Sequence, residues 1–175
     1  MTETQHIRDA LERAEKAVTL RPQRGQRIFR NTAQVRRGTR CEVIEQDEQM
    51  VIDVPQALGG TGEGPSPSMV LRAAFTSCIA IGIRQWAARL DVPIDTVDVT
   101  LETDVDARGQ LGVADEITPG FLGLRLQIDI GSDAPLAAID KIVATSLCYS
   151  PLLEVFENPQ TVSHQIHVTP NTTTN

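Results

Sequence analysis

Three cysteines, Cys41, Cys78 and Cys148, are the residues best suited to covalent chemistry in this chain, and Cys78 has the most distinctive surroundings. It follows the loop Leu58-Gly-Gly-Thr-Gly-Glu-Gly-Pro-Ser-Pro67 and lies in a stretch, residues 73–83, that carries no charged side chain. Two readings of Cys78 stand side by side. As a small hydrophobe it fills a core, the usual fate of a free cysteine. As a nucleophile it must be a thiolate, which calls for a neighbouring cation. The helix dipole acts mainly on the first turn, and Cys78 lies three turns further along. Arg72 and Arg84, six residues to either side, fall roughly 240° around a helix from it. The cluster Arg36, Arg37 and Arg40 is the available source of a facing arginine.

Other candidates are weaker. His164 and His167 lie three apart on an expected strand and so face opposite sides. Asp104 and Asp106 read as a wet strand edge, and Ser77 has no histidine near it in sequence to act as a base. Residues 21–40 hold seven arginines and no acid. That run reads as a solvated or interface surface; stacking on bases needs interleaved aromatics, and only Phe29 is present.

The elements that must position Cys78 follow from the same residues. Four glycines and two prolines between Gly59 and Pro67 make a shaped loop. Ser66-Pro67 then opens a helix, a capping oxygen followed by a ring preset at helical φ. Asp91-Val-Pro93 stops it. An amphipathic helix is expected over residues 4–20, from Ile7, Leu11, Ala14 and Val18. Short strands are expected over 28–34, 40–46 and 49–54, joined by turns at Arg37-Gly38 and at 46–48. Residues 97–105 and 122–130 alternate apolar and polar, two strands with one wet face each. The segment 106–120 between them is longer than a hairpin needs. A second helix is expected over 134–147 with Asp133 as cap, then a helical turn from Ser150-Pro151 to Phe156 and a closing strand over 161–168. The class is α+β, with helices against one face of an antiparallel sheet.

At 175 residues one domain is expected over 23–168, with an N-terminal helical extension over 1–22 and a disordered tail over 169–175. A net charge of −7 argues against nucleic acid as partner. The eleven uncharged residues around Cys78 are too few to span a bilayer. No N-terminal segment resembles a signal peptide, so the expected location is cytoplasmic. Three cysteines make no disulfide framework, and no Cys/His spacing suggests zinc, so no metal or cofactor is expected.

The loop from Leu58 to Pro67, followed by Leu71-Arg-Ala-Ala-Phe-Thr-Ser-Cys78, resembles the signature of the OsmC/Ohr family, the osmotically inducible and organic hydroperoxide resistance proteins. The likeness spans residues 28–168, and Ser150-Pro151 and Asn158-Pro159 resemble the OsmC-like branch. It implies a sheet wrapped around two central helices in an intertwined homodimer, with active sites at the subunit interface. It also implies a thiol-dependent peroxidase acting in oxidative stress. A cysteine at the position of Cys78 attacks an organic hydroperoxide, a second cysteine condenses with the sulfenic acid, and an external dithiol reopens the disulfide. An arginine from the N-terminal strands holds the thiolate, and a glutamate fixes that arginine.

On this resemblance Cys78 is the nucleophile, Arg37 its cation (with Arg36 and Arg40 as alternatives) and Cys148 the resolving thiol. The sequence departs from the pattern twice. Ser68 and Met69 stand where the family has its glutamate, leaving Glu63 as a substitute. The resolving position aligns with Ser150, two residues past Cys148. Cys41 matches nothing in the pattern and reads as filler. The alternative expectation is a non-peroxidase relative that binds an apolar small molecule in the interface pocket, with Cys78 only lining it.

Overall fold

The computed structural model describes residues 2–169. The fold is α+β, with two small antiparallel sheets and five α-helices among the described residues. Its centre is α2 (Pro67–Leu90), and the sequence accounts for both ends. Ser66 Oγ accepts from the Met69 amide at 3.3 Å, with Pro67 in the first helical position. At the other end Asp91 turns left-handed at φ 56°, and Val92 N–H closes back on Ala87 O. Phe75, Ile79, Ile83 and Ala87, four apart, form the buried stripe.

Two elements cover that stripe. Strands β4 (Thr96–Asp104) and β5 (Gly123–Gly131) pair antiparallel, with Val97 opposite Ile130, Val99 opposite Ile128 and Leu101 opposite Leu126. Those six side chains face α2, while Asp98, Thr100 and Glu102 turn outward, as period-two alternation requires. Helix α4 (Leu136–Cys148) inserts Ile142, fully buried, beside Ile79 and Ile83. It starts two residues later than expected and Asp133 does not cap it. Pro135 holds the cap position without a side-chain bond, and the Ala134 amide is bound instead by Ser132 Oγ. The long segment between β4 and β5 contains a single helical turn, α3 (Ala107–Gln110), capped by Asp106. Helix α1 (Glu3–Leu20) lies on its own chain's α2, where Arg8 bonds Ala88 O and Asp91, and Glu15 pairs with Arg89 at 2.7 Å.

The N-terminal sheet is β1 (Thr32–Val35), β2 (Cys41–Glu45) and β3 (Glu48–Ile52), paired in sequence order. Its turns are taken at Gly38 and Gln46, both with positive φ. No residue of these three strands is fully buried, and Val35, Ile44 and Met50 are exposed. After α5 (Pro151–Glu157) the described residues form no further helix or paired strand. The closing strand expected over 161–168 is therefore absent: the alternation is present, yet no strand of the described residues lies beside it, and Val162, Ile166 and Val168 stand in solvent. The tail expected over 169–175 falls outside the described residues from 170 onward.

Candidate active site around Cys78

Cys78 sits midway along α2, next to the buried Ile79, with its side chain half-buried. Its facing group is Ser150: Oγ lies 3.8 Å from Cys78 Sγ. Ser150 is buried and caps α5, its Oγ accepting from the Leu153 amide. That bond uses a lone pair and leaves the hydroxyl proton free to point at sulfur. One turn along α2 the approach repeats. A Cβ added at Gly82 would fall 2.7 Å from Ser146 Oγ, so a larger residue there would force the Ser146 side chain or the helices to shift.

This contact fixes the phase of α4. Ser146 faces α2, so Cys148, two residues on, points about 200° away around the helix. It is exposed, and all three cysteines are free thiols. Between Cys148 and Ser150, Tyr149 stacks on Trp86 with ring centroids 5.3 Å apart. The structure thus brings Ser150, and not Cys148, against Cys78.

The arginines stand on the N-terminal sheet. Arg37 lies exposed in the turn between β1 and β2 and makes no ion pair among the described residues; Arg36 bonds the Gln34 amide oxygen at 3.0 Å. Arg40 differs. Its Nε meets Glu63 at 2.8 Å and its Nη1 meets Glu42 at 2.5 Å, and the Glu42 and Glu63 carboxylates hold its pKa above the ordinary value. The glycine-rich loop thus delivers an acid to an arginine of the first strands.

Asp53, just past β3, locks that loop and escaped the reading of the sequence. It is 1% exposed and accepts five bonds. Thr39 Oγ1 (2.6 Å) and the Val54 amide (2.8 Å) reach one oxygen; Thr61 Oγ1 (2.6 Å) and the amides of Thr61 (2.8 Å) and Gly62 (3.0 Å) reach the other. The Thr39 and Thr61 hydroxyls, with these amides, hold its carboxyl far below the usual range. The available signal was a carboxylate between Ile52 and Val54 with two threonines nearby in the turns. Gly60 lets the loop touch β3's extension, because a Cβ there would lie 1.8 Å from Val54 O. Among the described residues no His, Cys, Asp and Glu groups gather as a metal would require.

The site thus consists of a central helix that presents a half-buried thiol to a hydroxyl, packed against an antiparallel strand pair in an α+β fold. A family model for OsmC-like proteins matches residues 60–165, and the chain belongs to that family. An OsmC-like protein from Mycoplasma pneumoniae is similar in fold at 15% identity and TM-score 0.64, covering 77% of this chain and 90% of that one. The organic hydroperoxide resistance protein OsmC of Legionella pneumophila follows at 19% identity and TM-score 0.58, covering 75% and 90%. One from Elizabethkingia anophelis has 14% identity and TM-score 0.54, covering 77% and 91%. At these identities the likeness is one of fold. No curated protein matches the sequence.

Proposed function

We propose that this chain is a thiol-dependent peroxidase that reduces organic hydroperoxides through Cys78 and works as an intertwined homodimer in a reducing, cytoplasmic setting. The observation that carries the reading is the half-buried Cys78 thiol held at 3.8 Å from a hydroxyl whose proton is free. A half-buried sulfur on the helix that carries Phe75 and Ile79 into the core favours an organic peroxide over a hydrated one.

The dimer is supported by area. The chain exposes 13549 Å², whereas a folded monomer of 19.1 kDa exposes about 8,400 Å². An obligate interface, covering roughly 1,000–2,500 Å² or more of each partner, accounts for part of that excess. Part of the exposed apolar surface lies on the sheet β1–β3, at Val35, Ile44 and Met50, and on the segment 161–168, at Val162, Ile166 and Val168. A cation for the thiolate then comes from that sheet across the interface. Arg40 is favoured over Arg37 and Arg36, because Glu63 holds it. The hydroperoxide's electrons come finally from an external dithiol.

The test is peroxide turnover in Cys78→Ser, which should vanish; turnover at the wild-type rate would end the proposal. The second reading, an apolar-ligand carrier, is favoured by a groove of about 540 Å³ lined by Ile128, Ile130, Ile139, Val143 and Leu147. It calls for saturable binding of an aliphatic probe with no hydroperoxide consumption.

A further inference from the structure

Two sulfur positions set how an oxidised Cys78 is returned to the thiol, and their placement is lopsided. Ser150 Oγ faces Cys78 Sγ at 3.8 Å, and a hydroxyl cannot form a disulfide. Cys148 lies on the opposite side of α4, exposed, with Tyr149 pinned on Trp86 between it and Ser150. Carrying Cys148 to Cys78 would require the last turn of α4 to unwind and the Trp86–Tyr149 stack to part.

We propose that Cys78 works without a resolving cysteine of its own chain: a thiol from outside attacks the Cys78 sulfenic acid directly, and Ser150 Oγ–H is the donor to the Cys78 sulfur. This rests on Cys78 being the peroxidatic thiol. The Cys78 thiolate attacks the outer oxygen of the hydroperoxide; the O–O bond breaks, an S–O bond forms, and the alkoxide leaves and takes a proton as the alcohol. The sulfur is oxidised to S–OH. An incoming thiol forms an S–S bond to Cys78, and the hydroxyl departs with a proton as water. A second thiol attacks the mixed disulfide, freeing Cys78 and yielding the oxidised reductant. One hydroperoxide and two thiol groups thus give alcohol, water and one disulfide. The second thiol belongs to the same molecule when the reductant is a dithiol and to another when it is a monothiol.

The experiment treats the full-length protein with one equivalent of cumene hydroperoxide, then glutathione in one arm and dithiothreitol in the other, followed by peptide mapping. Without added thiol, Cys78 should gain one oxygen and join no other cysteine. With one equivalent of glutathione it should carry the mixed disulfide; with excess dithiothreitol it should return to the free thiol. Ser150→Cys should change the outcome, with peroxide closing a disulfide between the new thiol and Cys78 and glutathione no longer trapped there. A disulfide from Cys78 to Cys148 or Cys41 in the wild type would overturn this proposal and leave the peroxidase reading intact. Cys78 untouched by peroxide in both proteins would overturn the peroxidase reading and this proposal with it.

Discussion

Arg40 Nε and Glu63 Oε2 meet at 2.8 Å, joining the residue that enters β2 to the middle of the glycine-rich loop. Both side chains keep about a third or more of their surface in solvent, so the pair adds little to folding. Its value lies in aiming the guanidinium. Glu63→Gln is expected to leave the urea midpoint nearly unmoved while Cys78 alkylation at pH 7 slows. Peroxide reduction at pH 7 should fall about tenfold. An unchanged alkylation rate would detach the pair from the thiol.

Ser150→Ala removes both the donor to sulfur and the α5 cap, and loss of a cap alone costs about 1 kcal/mol. The two effects separate by readout. Alkylation of Cys78 at pH 7 should slow in Ser150→Ala, and Ser150→Thr, which keeps a hydroxyl, should restore it. If Thr restores stability but not the alkylation rate, the hydroxyl acts only as a cap.

Asp53 makes a pH-dependent contribution to stability whose sign follows from its depressed pKa. The carboxylate is bonded in the folded chain, most strongly by Thr39, and free in the unfolded one. Its stabilisation is full above the unfolded value of about 3.9 and declines as pH falls below it. Asp53→Asn should lower the urea midpoint at pH 7, and the gap from wild type should narrow toward pH 3. A gap independent of pH would mean the ionised form is not what the threonines and amides hold.

Ser146 Oγ is buried with no hydrogen-bond partner. Ser146→Ala should therefore raise stability by about 1 kcal/mol. Gly82→Ala should cost about 1–3 kcal/mol by overpacking, and markedly less in the Ser146→Ala background, where the clashing oxygen is gone. Additive effects would show that the helices shift apart instead.

Much of the frame was legible because its causes are local. Ser66-Pro67 and Asp91-Val-Pro93 set the limits of α2, and the alternation from Val97 onward set the β4–β5 pair. What was illegible depends on neighbours. Residues 161–168 alternate like a strand, but pairing needs an edge alongside, and no strand of the described residues lies beside them. Asp133 looked like a cap, yet Pro135 lay closer to the first helical turn. Whether Cys148 or Ser150 faces Cys78 is a matter of helical phase, settled only once Ser146 is seated on Gly82. Arg36, Arg37 and Arg40 were equivalent as residue types; the fold distinguished them by setting Glu63 beside one.

The exposure of Cys148 also bears on handling. A solvent-facing thiol oxidises in air and cross-links molecules on storage. Covalent pairs on a non-reducing gel will then record the age of the preparation, and stocks kept under reductant, or alkylated briefly at neutral pH, will lose that band first.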